Sequence, residues 1–172
     1  MKILSKQKNS RMGMICGLDN EYGVNAPFYN MEDGSVMTVF RYKEQHQSYP
    51  GRVHGGMITA MLDEMGLRSL WAKELSEETF GVTISLDTKY RKPVPYETEL
   101  IGRGVVVKNT SHFIITDSYI MDKDGEILAN GRIKYIKMDT QKIQEGVEVH
   151  EEMPYLVEDG RTEIEGPFFD NL

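Results

Sequence analysis

The positions of the apolar residues divide this chain into one helix and a series of strands. Between Ser35 and Tyr42, Val36, Thr38, Phe40 and Tyr42 fall on one side of an alternating run, which predicts a strand. Lys43 to Val53 is polar, contains Pro50-Gly51 and predicts a loop. From Gly55 to Leu75 the pattern changes: no proline, many Met, Leu, Ala and Glu residues. Met57, Ala60, Met61, Leu67, Leu70 and Trp71 share one helical face, and Ile58, Leu62, Met65 and Ala72 cover another. A helix apolar on most sides is a buried helix. Its last turns, with Arg68, Lys73 and Glu74, read as more amphipathic.

Four strands follow in the pattern. Val82 to Tyr90 alternates and is stopped by Pro93 and Pro95. Glu99 to Lys108 contains Gly102 and Gly104, which permit bending or close approach. His112 to Met121 and Glu126 to Met138 flank the hairpin-type turn Asp122-Lys123-Asp124-Gly125. Residues 1–12, polar and basic, read as a loose or helical lead-in, and Cys16-Gly17-Leu18-Asp19-Asn20 as a turn. One strand, one buried helix and a meander of long strands favour an antiparallel sheet over a βαβ array. The simplest α+β architecture is a curved sheet wrapped around the helix. Its uncovered edge and face invite a partner subunit.

Length and charge refine this picture. At 172 residues the chain is one ordinary domain with a short appendage. The net charge of −7 is uneven: residues 139–172 hold ten acids against Lys142 and Arg161, which leaves residues 1–138 at +1. A nearly neutral body argues against nucleic acid. The acidic tail reads either as a solvated extension or as an arm that packs on the body or a partner. Pro154-Tyr155-Leu156-Val157 and Phe168-Phe169 are the anchors of the second reading. With Cys16 the single cysteine, no internal disulfide and no Cys-based zinc cage is available. His46, His54, His112 and His150 show no ligand spacing, so no metal is expected. No apolar run approaches bilayer length and the N-terminus lacks a signal-like stretch, so a cytoplasmic protein with no membrane partner is expected.

The chemistry concentrates in His54-Gly55-Gly56 and Asp63-Glu64. A Gly-Gly pair opening a helix lets a ligand approach backbone N–H groups that favour developing negative charge, which is what an oxyanion hole needs. Asp63 and Glu64 interrupt the most apolar helix, and a carboxylate there must be paired or used. Eight residues separate Gly55 from Asp63, roughly 12 Å of helical rise, so the carboxylate must work across a groove, on a substrate also held by another chain. Each piece has an ordinary alternative: a helix cap for the glycines, a packed histidine for His54, a solvated helix edge for the acids. Met57, Met61 and Met65 either line an adaptable pocket or are plain core.

The run His54-Gly55-Gly56, then Leu62-Asp63-Glu64 and Gly66, resembles the hotdog-fold acyl-CoA thioesterases of the PaaI type. So does Val82-Thr83-Ile84-Ser85-Leu86-Asp87-Thr88-Lys89-Tyr90-Arg91-Lys92-Pro93, which ends in the similar Tyr-x-Lys/Arg-Pro, and so does Cys16-Gly17-Leu18-Asp19-Asn20. The resemblance covers residues 14–138, with 1–13 as lead-in and 139–172 as an acidic extension. It implies a hotdog fold paired into homodimers and possibly homotetramers, with active sites between subunits. It implies hydrolysis of an acyl-CoA thioester without a cofactor. Gly55 then supplies the oxyanion N–H, Gly56 and His54 support that turn, and Asp63 is general base or nucleophile. Thr83 positions the attacking water, and Arg91 and Lys92 meet CoA phosphates. Many members carry Asn six residues before the histidine; here the position is Ser48, which puts substrate positioning in question. The competing readings are an acyl-CoA-binding module without turnover, and a hotdog hydratase or dehydratase in which His54 is catalytic.

Overall fold

The computed structural model describes residues 1–74, 80–138 and 152–167. Strands β1 (Ile3–Lys6), β2 (Tyr29–Met31) and β3 (Val36–Phe40) precede a short hairpin, β4 (Gln47–Tyr49) and β5 (Arg52–Val53). The helix α1 (Gly55–Glu74) leads into β6 (Phe80–Tyr90), β7 (Leu100–Asn109), β8 (Phe113–Met121) and β9 (Ile127–Met138). One seven-stranded sheet runs in the order β1-β2-β3-β7-β8-β9-β6, with every neighbouring pair antiparallel. The helix packs against the middle of that sheet, chiefly on β7, β8 and β9. This is the hotdog arrangement. Among the described residues no helix is long and apolar enough to cross a membrane.

Small residues set how closely helix and sheet approach. A Cβ on Gly104 of β7 would lie 2.5 Å from the backbone oxygen of Met65, and one on Gly66 of α1 would collide with the Tyr135 hydroxyl from β9. The backbones touch where side chains would normally hold them apart. Around that contact, Met61, Leu62 and Met65 are fully buried with Val36, Leu100, Ile120 and Ala129 from the sheet. Met61 and Met65 are therefore plain core.

Consecutive strand residues belong to two different cores. Val36, Leu100 and Ile120 face the helix, whereas Met37, Ile101 and Met121 form a second cluster with Tyr29, Met31 and Ile164. Successive side chains on a strand point to opposite faces, so this second cluster lies behind the sheet. Ile164 comes from the acidic tail. Of the two readings of that tail, residues 152–167 follow the packed arm. Tyr155 pairs with Asn9 and Glu163 with Lys2 in antiparallel bridges, and Asp159 accepts from both Lys6 and Tyr29. Lys6 and Tyr29 hold the Asp159 carboxyl at a pKa of about 2 despite partial burial. The anchors Tyr155 and Leu156 lie in this arm, while Phe168-Phe169 lies outside the described residues.

Three expectations are corrected. Residues 1–12 are no loose or helical segment: β1 pairs with β2, and the arm runs along its other side. The strand at Val36 is the third rather than the first. Arg68, expected near solvent, is 1% exposed. In each case the partner that makes the placement favourable is far away in sequence. Among the described residues the opposite edge of the sheet is open: β6 pairs there with β9 alone, and Val82, Ile84 and Tyr90 are exposed along it.

The Gly104 contact is with backbone and cannot be relieved by a rotamer change. Gly104→Ala is expected to cost about 1–3 kcal/mol of folding stability, the usual penalty of overpacking, read as a lowered urea midpoint with an unchanged slope.

Candidate active site

The site begins where β5 turns into α1. His54 is the residue ahead of the helix, and its carbonyl accepts from the N–H groups of Met57 and Ile58 at 3.0 and 3.2 Å. Its own N–H donates to the His46 carbonyl at 2.8 Å. The His54 ring then caps the first turn: Gly56 N–H donates to Nδ1 at 2.9 Å. That bond requires Nδ1 to be unprotonated. One orphan donor of the helix start remains, the Gly55 N–H, which meets no acceptor among the described residues.

Gly55 forms part of the wall of an open groove of about 390 Å³. Ser48 and Arg52 from the β4–β5 hairpin line it, with Tyr90, Arg91 and Lys92 from the end of β6. Four sequence-predicted residues, Ser48, Gly55, Arg91 and Lys92, are thus brought to one place. Arg91 Nε donates to the neutral Asn130 Oδ1 at 2.6 Å, whereas Lys92 is ion-paired with Glu126. Arg91 accordingly has less of its charge compensated. Arg52 makes no ion pair among the described residues. The sequence reading missed Arg52, since its place depends on a hairpin inside a segment that reads as loop. It also missed Tyr90 as a site wall. The Tyr90 hydroxyl donates to the Gly55 carbonyl at 3.2 Å and shares a 2.7 Å hydrogen bond with Thr59.

Asp63 lies elsewhere. Two turns farther along the helix, it faces β6, where the Thr83 hydroxyl donates to its two carboxylate oxygens at 2.9 and 3.2 Å. Tyr135 from β9 donates to the Asp63 backbone carbonyl at 2.7 Å. Burial pushes the Asp63 carboxyl above its ordinary pKa, the Thr83 bond pulls it back and the neighbouring Glu64 pushes it further up. A carboxylate that holds a proton more readily than usual, fixed by a hydroxyl and partly open to solvent, is suited to accepting a proton from water. Within one chain, the groove with the free N–H and the oriented carboxylate remain two separate half-sites.

The chain is similar in sequence and fold to known proteins. Residues 50–129 match the thioesterase superfamily, a span that holds His54, Gly55, Gly56, Asp63, Thr83, Arg91 and Lys92 and leaves out Ser48. Over 140 residues the chain is 25% identical to acyl-coenzyme A thioesterase THEM4 of Rattus norvegicus, covering 81% of this chain and 57% of that one. The chain thus spans little more than half the length of that relative. A solved thioesterase superfamily protein is 26% identical with a TM-score of 0.65, over 73% of this chain and 63% of its own. A hypothetical thioesterase from Streptococcus pneumoniae, solved with coenzyme A, superposes with a TM-score of 0.59 at 19% identity, over 67% of this chain and 90% of its own; at that identity it speaks for the fold.

The raised pKa has a consequence for stability. A carboxyl with a folded pKa above its unfolded one stabilises the fold while protonated, and that contribution is lost as pH rises through the folded value. Ionised Asp63 therefore works against folding at neutral pH. Asp63→Asn is expected to melt at a higher temperature than the wild type at pH 7, with the difference closing below about pH 4, where the unfolded-state carboxyl is also protonated. Calorimetry over that range checks it, and an unchanged or lower melting point at pH 7 would refute it.

Proposed function

We propose that this protein, whose residues 50–129 match the thioesterase superfamily, hydrolyses an acyl-CoA thioester to the free acid and CoA. The observation that carries this reading is the unpartnered Gly55 N–H at the head of a buried helix, set in a groove with Arg52 and Arg91. An N–H there polarises a thioester carbonyl and holds the oxygen as it gains charge. The guanidinium groups suit the phosphates of CoA, which they can bind through paired hydrogen bonds. Ser48 lines the same groove and offers a short hydroxyl where many relatives offer an amide.

The carboxylate half comes from a second copy. β6 is an open edge beside Asp63 and Thr83, with exposed Val82 and Ile84 to cover. Pairing two chains there, as a homodimer, sets the Asp63 of one against the Gly55 groove of the other. Asp63 then takes a proton from water as its oxygen attacks the carbonyl carbon. The tetrahedral oxyanion rests on the Gly55 N–H. Its collapse breaks the carbon–sulfur bond, and the proton passes to the departing thiolate. Thr83, donating to Asp63, fixes the direction from which the proton is removed. His54 holds the turn by accepting from Gly56 and takes no part in the proton transfer.

Thiol release over short, medium, long and aromatic acyl-CoAs tests the reaction. Asp63→Ala is expected to lower turnover by at least ~10², a typical general acid–base contribution. A folded wild type with no hydrolysis across the panel would overturn the reading. Arg52→Ala and Arg91→Ala are expected to raise KM for acyl-CoA and to leave KM for the corresponding acyl-pantetheine, which lacks the nucleotide, unchanged. Equal effects on both substrates would remove the phosphate contact from the proposal.

A further inference from the structure

Next to Asp63, the helix carries an ion pair that is almost entirely out of solvent on one side. Arg68 is 1% exposed, and its Nε donates to Glu64 Oε1 at 2.7 Å, one turn back along the helix. Its Nη1 donates to Gln7 Oε1 at 3.2 Å and to the Lys8 carbonyl at 3.1 Å. The guanidinium carbon stands 4.3 Å from the centre of the Phe28 ring and 5.3 Å from that of Trp71. Gln7 is itself fixed, donating to Asn30 Oδ1 and to the Arg68 carbonyl at 2.6 and 2.9 Å. Nε and Nη1 thus donate to three acceptors, and two aromatic rings lie against the guanidinium, which restricts its orientation. An unpaired charge in that position would be strongly disfavoured. Glu64 keeps 31% of its side chain exposed and supplies the compensating charge.

Adjacent helix residues point about 100° apart. Asp63 faces β6 and Thr83, while Glu64 turns to the N-terminal segment and Arg68. An uncompensated Glu64 beside Asp63 would push the Asp63 carboxyl further up and titrate alongside it. Resting on the hydrolytic reading, we propose that Arg68 is a positioning residue for that reaction: by clamping and compensating Glu64 it leaves Asp63 as the one acid of the pair that takes up and returns a proton.

Of the other titratable groups near the pair, the Tyr135 hydroxyl pulls the Asp63 carboxyl down but brings no charge to it. Tyr135 approaches Asp63 from β9, and Cys16 approaches Glu64 and Arg68 from the segment ahead of β2. Burial pushes the phenol and the thiol upward, so both stay neutral at pH 7. Thr83, from β6, carries no charge. Charge balance at the acid pair is accordingly left to Arg68.

Carboxyl carbon-13 NMR of the full-length protein, with Asp63→Asn identifying the Asp63 signal, tests this without requiring turnover. Glu64→Gln keeps an oxygen for Arg68 Nε and removes the charge. The Asp63 titration is expected to move to lower pH, by roughly half a unit to one unit as for loss of a nearby like charge. Adding Arg68→Met to Glu64→Gln removes both charges while keeping an apolar stem, and is expected to return the titration towards its wild-type midpoint. This double variant avoids leaving Glu64 unpaired, which Arg68→Met alone would do. The acid limb of kcat/KM is expected to follow the same two shifts, with KM little changed. The deciding comparison is the double variant, because loss of the Glu64 charge alone moves Asp63 whatever Arg68 does: a midpoint that stays at the Glu64→Gln value when Arg68→Met is added, or one that is the same in all three proteins, would overturn the proposal. Shifts seen by NMR in a protein that hydrolyses no thioester would uphold the charge arrangement and overturn the hydrolytic reading alone.

Discussion

The close contact between α1 and the sheet is the constraint on which the rest depends. Met65 carries its backbone oxygen into the space above Gly104, and Gly66 lets Tyr135 reach in beside it. With the helix seated that deeply, its position along the sheet is set. Gly55 then falls at the mouth of the β4–β5 hairpin, and Asp63 beside Thr83 on β6. The same Tyr135 hydroxyl that needs Gly66 to be small donates to the Asp63 carbonyl. Packing and site geometry therefore share atoms, and a looser core would blur the positions of both half-sites.

Much of this was legible in the sequence because it depends on local pattern. The buried helix is predicted over 55–75 and runs from Gly55 to Glu74; the four later strands end within two residues of where alternation and turn residues put them. The glycines at 102 and 104 read as places of close approach, and they are. The separation of Gly55 from Asp63 follows from helical rise alone. What the sequence hides is what long-range contact decides. A basic, polar stretch such as residues 1–12 becomes strand β1 because β2 and the arm supply hydrogen-bond partners on its two sides. An arginine in the second half of a helix reads as solvent-facing. Arg68 is buried because Gln7, Lys8, Phe28 and Glu64 together satisfy it, and three of those lie forty or more residues away. Arg52 reaches the groove through a hairpin too short to leave a periodic signal.

The acids of this chain also divide by environment in a way composition does not show. Asp159 sits among donors and is held as a carboxylate, while Asp63 sits against apolar neighbours and is pushed towards its protonated form. The first fastens an arm to the body. The second works against the fold once ionised, and packing elsewhere offsets that cost.

The arm also bears on the order in which the fold can be completed. Met37, Ile101 and Met121 lie behind the sheet, and Ile164 is part of their cover. During synthesis that residue follows every strand of the sheet. Until it arrives, a growing chain with a finished helix and sheet still presents a row of apolar side chains on its back. Contacts this remote in sequence are slow to close, because a long loop must be ordered before they return any energy. The tail residue Ile164 is therefore part of what keeps the back of the sheet from presenting the kind of apolar surface that promotes aggregation.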